Sequence, residues 1–143
     1  MMRRSPARNL LLLLVVASLG LACDSSTSPI QDPLVFESEI GADGRNIHPV
    51  VLSDSGTVHV QFTRLDEKPV EGVEPADTEW VLGVGVGRPA EDQCSPTYSV
   101  SARVGDLVVL GLNQADYCFL VFDTGFLPDE TIIEYTLTIS PAS

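Results

Sequence analysis

Short runs in which apolar and polar residues alternate dominate the chain from Leu34 onward, and they restrict the fold more than any other feature. The alternation is clearest in residues 57–63 and 133–139, and a period of two is typical of strands with one buried face. No long segment has the i, i+3, i+4 apolar spacing of an amphipathic helix, and Gly-, Pro-, Asp- and Ser-rich turn clusters separate the runs. The sequence therefore predicts an all-β fold, an antiparallel β-sandwich or jelly-roll-like domain of seven to eight strands.

Two later segments, residues 106–112 and 117–122, are apolar at consecutive positions. Continuous apolar runs are typical of strands that are covered on both faces, so both segments are predicted to be central strands. Four residues, 113–116, connect them, and a connection of this length predicts a hairpin.

Glycine occupies every second position in residues 83–87. The opposite face of this predicted strand carries Trp80, Leu82 and further valines. Alternate glycines keep one face flat, so that another segment of the chain can approach it closely. The alternative is a ligand platform formed by Trp80, Gly83 and Gly85, in which the indole stacks on a sugar ring.

The N-terminal residues 1–22 form a predicted signal peptide. Three arginines precede residues 10–22, which are uncharged and mostly aliphatic. A helix of that length spans about 20 Å, which is less than the roughly 30 Å of a bilayer core. A permanent transmembrane helix is therefore not expected.

The sequence Leu-Gly-Leu-Ala-Cys at residues 19–23 resembles a bacterial lipobox, in which a small residue precedes the lipidated cysteine. This predicts lipidation of Cys23 and a membrane-anchored lipoprotein of the bacterial cell envelope, facing the periplasm or the exterior. Gly20 departs from the aliphatic residue that is usual at its position. Gly20 and Ala22 also fit ordinary signal cleavage, so release as a soluble protein is the alternative.

The chain has three cysteines, and lipidation of Cys23 leaves Cys94 and Cys118 as a pair. A disulfide is the expected state of such a pair in an oxidising compartment, and two free buried thiols are the alternative.

The mature chain divides into a Ser-, Asp- and Pro-rich tether, residues 23–33, and one domain, residues 34–143. From residue 23 onward it keeps all 20 acidic residues but only five basic ones, which gives a net charge of −15. A chain with this charge repels phosphate backbones, so nucleic-acid binding is excluded.

Several strand motifs resemble those of bacterial pre-peptidase C-terminal domains: residues 56–60, 82–87, 115–123 and 135–139. The resemblance covers roughly residues 34 to 141 and includes the family's hairpin strand near the end, here carrying Cys118. It implies a jelly-roll-like sandwich. No peptidase accompanies the module, so the family's usual setting is not implied.

Asp43, Asp54 and Asp123 lie in predicted Gly- or Ser-containing turns and are candidate calcium ligands. Calcium takes six to eight oxygen ligands from flexible loops, and loop carboxylates supply them in many jelly-roll modules. The alternative is that aspartate occurs here because it suits tight turns. No other cofactor is predicted.

No catalytic residue is predicted. Asp123-Thr124-Gly125 resembles an aspartic-protease loop, but that chemistry needs two aspartates, and only 18 residues follow Gly125. His48 and His59 have no zinc-ligand spacing, and the chain has no G-x-S-x-G motif.

These features predict a non-catalytic, lipid-anchored cell-envelope module that binds a protein or a glycan. The alternatives are a soluble secreted protein with a structural role and a small hydrolase of unrecognised type.

Overall fold

The computed structural model describes residues 28–142, which form eight β-strands and no helix. Residues 1–27, with the predicted signal peptide and Cys23, and residue 143 lie outside the described part. The strands are β1 (Leu34–Gly41), β2 (Arg45–Leu52), β3 (Gly56–Glu67), β4 (Leu82–Ala90), β5 (Gln93–Ala102), β6 (Val108–Leu112), β7 (Ala115–Phe122) and β8 (Ile132–Pro141). In residues 28–142 there is no helix long and apolar enough to cross a membrane.

The strands form two four-stranded antiparallel sheets that pack face to face. The first sheet has the order β1-β8-β3-β6, and the second has the order β2-β7-β4-β5. Most connections pass from one sheet to the other, which is the connectivity of a jelly roll. The predicted fold class is confirmed.

The core lies between the sheets, and the predicted alternation places side chains there. On β3 and β8 every second residue is buried, and most of the residues between them point outward. The fully buried members from these two strands are Val58, Val60, Phe62, Ile133, Tyr135, Leu137 and Ile139. Burial of one apolar side chain of this size stabilises the fold by about 1.5–3 kcal/mol, so these strands hold much of the stability.

The glycines of β4 allow close approach on the outer face of the second sheet, as the sequence predicts. A Cβ at Gly83 would overlap the ring of Phe122, and a Cβ at Gly87 would overlap the backbone of Ser95. The chain of β5 therefore passes directly over Gly87. This crossing is possible only where β4 has no side chain.

The predicted disulfide between Cys94 and Cys118 is present, with the two Cα atoms 5.7 Å apart. Cys94 lies near the start of β5 and Cys118 lies in β7, and both strands flank β4. Together with Leu120 and Phe122 the two cysteines form a second, smaller apolar cluster outside the main core. The bond thus fixes the β4–β5 hairpin against the outer face of the sheet.

Two predictions about residues 106–122 are wrong in detail. The first apolar segment is not a central strand: β6 lies at the edge of its sheet, and Val109 is 56% exposed. The connection after β6 is not a hairpin either, because β6 pairs with β3 in one sheet while β7 pairs with β2 and β4 in the other. The second segment, β7, is central and buried on both faces, as predicted.

The end of the predicted tether is packed against the domain. Pro29 is fully buried, and Ile30 is 8% exposed and belongs to the main core. Residues 31–33 are exposed and lead into β1. The packed domain therefore includes residues that composition alone places in the tether.

The strand directions separate the connections into two groups. One end of the sandwich, here called the loop pole, carries residues 42–44, 68–81, 103–107 and 123–131. The other end, here called the base, carries the short connections 53–55, 91–92 and 113–114. The start of β1 and the end of β8 also lie at the base, because Leu34 pairs with Ile139 and Val58 pairs with Pro141.

Candidate functional site

The loop pole exposes apolar side chains that the sandwich does not use for its core. Its four segments contain the exposed residues Val70, Val73, Val104, Leu107 and Phe126, and Phe126 is 81% exposed. The three short connections at the base contain only polar and acidic residues. Exposed apolar residues and concave surface occur together at this end of the domain, so the loop pole is the candidate functional site.

Asp123 organises this pole. Its Oδ1 atom accepts hydrogen bonds from the backbone N–H groups of Gly125, Phe126 and Leu127, at 3.0–3.2 Å. Its Oδ2 atom accepts a fourth hydrogen bond, 3.0 Å long, from the backbone N–H of Asp43 in the β1–β2 connection. One carboxylate therefore shapes the start of the β7–β8 segment and ties it to a second segment.

The ionised form of Asp123 is the form that fits this arrangement. Partial burial by itself raises the pKa of Asp123, but the four backbone N–H donors stabilise the carboxylate and hold its pKa below the usual value. Two of the four segments of the loop pole, residues 42–44 and 123–131, are therefore joined by a charge that persists at neutral pH.

Two grooves lie at the loop pole. The first, here called the tryptophan groove, has a volume of about 340 Å³. Trp80 and Val81 from the β3–β4 segment form one side, and Phe126 and Leu127 from the β7–β8 segment form another. Arg103 lies at its rim, where Nη1 is 3.1 Å from the Oε2 atom of Glu79.

The second groove, here called the acidic groove, has a volume of about 350 Å³ and is formed by the same two segments. Its apolar surface comes from Pro69, Val70 and Ile132, and its three carboxylates come from Glu67, Glu71 and Glu130. Lys68 also lines it, but the Nζ atom of this lysine is 2.7 Å from Oε2 of Glu39 on β1. The lysine charge is thus already paired.

The loop pole is strongly acidic as a whole. Its four segments contain nine Asp and Glu residues against two basic residues, Lys68 and Arg103. Both basic residues are in salt bridges with carboxylates. The excess negative charge is therefore left free to act on a partner.

No protein-family model matches the chain, and no curated protein matches it in sequence. Among solved structures, the chain is similar to PliG of Aeromonas hydrophila, a periplasmic lysozyme inhibitor of g-type lysozyme. The similarity covers 80% of this chain and 95% of that chain, with 10% sequence identity and a TM-score of 0.46. At this level the likeness says nothing about what this chain binds.

The three candidate calcium ligands do not come together. Asp43 and Asp123 are neighbours at the loop pole, but Asp54 lies at the base, at the other end of β2. Asp43 has a φ of 57°, a left-handed backbone conformation that aspartate tolerates in turns. In residues 28–142 no group of three or more His, Cys, Asp or Glu residues is arranged to hold a metal ion. Because the three carboxylates lie at two ends of the sandwich, one calcium ion is not expected to bind all three.

The predicted ligand platform is only partly open. Gly83 and Gly85 are buried, and the ring of Phe122 lies over Gly83. Trp80 precedes β4, is partly exposed and faces the tryptophan groove. Of the three platform residues, only Trp80 can therefore meet a ligand from solution.

The two histidines have structural surroundings. The Nε2 atom of His48 is 2.7 Å from the hydroxyl of Tyr135, and its ring stacks on Phe36 at a centroid distance of 4.6 Å. Burial lowers the pKa of His48, and burial also raises the pKa of Tyr135. His59 lies on the outward face of β3. Neither histidine is hydrogen-bonded to a serine or cysteine in the described part of the chain.

Sequence reasoning did not identify Val70, Phe126 or Ile132 as functional candidates. Their signal was present as isolated large apolar residues within or beside acidic turn segments. What could not be predicted is that segments distant in sequence bring them to one end of the sandwich.

Proposed function

We propose that this protein is a non-catalytic, lipid-anchored cell-envelope module that binds a protein partner through its loop pole. The observation that carries the proposal is the exposed apolar surface gathered at the end of the sandwich opposite the start of β1. A related part of the proposal is that the domain is of the pre-peptidase C-terminal type, which the jelly-roll strand order supports.

The position of the N-terminal segment favours this assignment of the two ends. The chain enters β1 at the base, so a lipid on Cys23 holds the base towards the membrane. The loop pole then faces away from the bilayer. A partner in the periplasm or outside the cell can reach it without displacing the anchor.

The surface chemistry favours a protein over a glycan. Four of the five exposed large apolar residues of the pole are aliphatic, and aliphatic surface suits the apolar side chains of a protein better than the hydroxyl groups of a sugar. The tryptophan groove alone also has hydrogen-bonding side chains beside its aromatic rings, from Thr78, Glu79, Ser101 and Arg103. Phe126 projects from the β7–β8 segment and is 81% exposed, which is typical of an aromatic anchor in a protein interface. Glycan binding is an outcome that the test below distinguishes.

Site-specific photo-crosslinking in the native host tests the proposed site. A benzophenone amino acid replaces Phe126 in the full-length chain, and the matched control carries the same amino acid at Val109, which is exposed on the outer face of the first sheet. We expect the residue 126 variant to give one dominant protein adduct that the residue 109 variant does not give. Equal adducts at both positions, or an adduct containing only glycan, would contradict protein binding at the loop pole.

The anchor is tested separately by growth with an alkyne-labelled fatty acid. We expect label on the wild-type protein and none on a Cys23→Ser variant, which should fractionate with soluble proteins. Unlabelled wild-type protein in the soluble fraction would show that the anchor is absent. That result would leave the binding site untouched.

A further inference from the structure

We infer that the partner presents a basic segment with an adjacent large apolar residue, the apolar side chain lying in the tryptophan groove and a Lys or Arg lying in the acidic groove. This rests on the proposed protein-binding function and adds the chemistry of the partner. The two grooves share the β3–β4 and β7–β8 segments, so one extended segment can contact both.

The acidic groove has the composition expected of a receptor for a long basic side chain. Pro69, Val70 and Ile132 provide apolar surface for the aliphatic part of a Lys or Arg side chain. Glu71 and Glu130 line the same groove, and neither forms a salt bridge in the described part of the chain. A cation placed there meets two carboxylates, and the one lysine that could repel it is bound to Glu39.

The tryptophan groove is suited to an apolar side chain. Its apolar lining comes from Trp80, Val81, Phe126 and Leu127, and its uncharged polar lining comes from Thr78 and Ser101. Arg103 also lines it and is paired with Glu79. Transfer of a leucine-sized side chain from water into such surroundings is favourable because it removes apolar area from solvent. Aromatic side chains at this kind of site supply a large share of interface affinity.

The negative charge of the loop pole excludes an acidic partner. Nine acidic residues against two already paired basic residues create a negative potential around both grooves. This potential repels acidic proteins and anionic lipid surfaces and increases the rate of encounter with basic ones. Affinity for the partner should therefore fall as salt screens the charges.

The single tryptophan of the chain makes a direct assay possible, because Trp80 lines one of the grooves. Three short peptides without tryptophan are titrated into the folded domain while Trp80 emission is recorded. One alternates lysine and leucine, the second replaces lysine with glutamate, and the third replaces leucine with serine. We expect only the lysine–leucine peptide to shift the emission and to saturate.

Salt dependence and substitutions test whether the peptide binds in these two grooves. Raising the salt concentration from about 0.1 M to about 1 M shortens the Debye length from about 10 Å to about 3 Å and should weaken binding about tenfold. Phe126→Ser should weaken it about tenfold, and Val109→Ser is its matched control. Glu71→Gln with Glu130→Gln should also weaken it. Glu91→Gln with Asp92→Asn makes the same change of charge at the base and should have no effect.

Three results would overturn the inference: binding of the glutamate–leucine peptide, equally tight binding of the lysine–serine peptide, or no binding of any peptide. If one of these occurs while crosslinking at residue 126 still yields a protein adduct, only the chemistry of the partner is wrong. If crosslinking also fails, the proposed function is wrong as well.

Discussion

Replacement of Asp123 by asparagine tests whether its carboxylate stabilises the contact between the β1–β2 and β7–β8 segments of the loop pole. The asparagine side chain keeps an oxygen that can accept the three N–H groups of the β7–β8 segment. It loses the charge, and its amide would set N–H donors against the N–H of Asp43, which now donates to Oδ2 of Asp123. We therefore expect the variant to fold but with a loosened pole.

The expected loss of stability on Asp123→Asn follows from the hydrogen bonds that Asp123 accepts. Loss of a hydrogen bond to a charged acceptor costs about 1.5–3 kcal/mol, and the partial exposure of this residue reduces the loss to about 1–2 kcal/mol. For a domain of this size that corresponds to a fall in Tm of about 4–8 °C. The matched control is Asp129→Asn, an exposed residue of the same segment whose carboxylate accepts no hydrogen bond within residues 28–142.

The effect should depend on pH with a definite sign. Because the pKa of Asp123 is lower in the folded than in the unfolded chain, its stabilisation is complete above the unfolded pKa and is lost as the pH falls through the folded pKa. The difference in Tm between wild type and Asp123→Asn should therefore be largest at pH 7 and shrink towards about pH 2. All other carboxylates are common to both proteins and cancel. A difference equal to that of Asp129→Asn, or one independent of pH, would refute the role assigned to Asp123.

Three further predictions concern stability. Gly87→Ala should lower the free energy of unfolding by about 3 kcal/mol, because the new Cβ atom overlaps the Ser95 backbone. Gly111→Ala is the control: its new Cβ atom has open space around it, so the midpoint of urea unfolding should change little. Equal effects at the two glycines would contradict the close crossing over β4. The double variant Cys94→Ala, Cys118→Ala should have a free energy of unfolding about 3–4 kcal/mol lower, because the disulfide closes a loop with a sequence separation of 24. Reduction of the wild-type disulfide should give the same loss in a denaturant titration. Millimolar calcium should leave Tm unchanged, because the three candidate ligands lie at two opposite ends; a rise of several degrees would restore the calcium site.

The strand pattern could be predicted because burial in a sandwich repeats locally, every second residue. Residues 57–63 and 133–139 show this alternation in the sequence and carry core side chains in the structure. The flat face of β4 was also predictable, because only glycine permits another chain to approach so closely.

The position of a strand at the edge or in the centre of its sheet could not be predicted from the local sequence pattern. Residues 106–112 are as apolar as the central β7, yet β6 lies at an edge with Val109 in solvent. A run of apolar residues indicates that a strand is buried on average, but it does not show which strand pairs with it. The partner of β6 is β3, some fifty residues earlier in the chain. The loop pole could not be predicted for the same reason, since the pairing of strands in both sheets brings its four segments to one end of the sandwich.

The burial of Pro29 and Ile30 would limit the distance between the domain and a membrane if the chain is lipidated as proposed. If Cys23 carries the lipid, only residues 24–28 separate it from packed structure, and five residues reach no more than about 18 Å. The sandwich itself adds about 30 Å, the length of its eight- to ten-residue strands. The distance between the loop pole and the bilayer would then depend more on the length of the sandwich than on residues 24–28. Only partners that come within that distance of the membrane could bind.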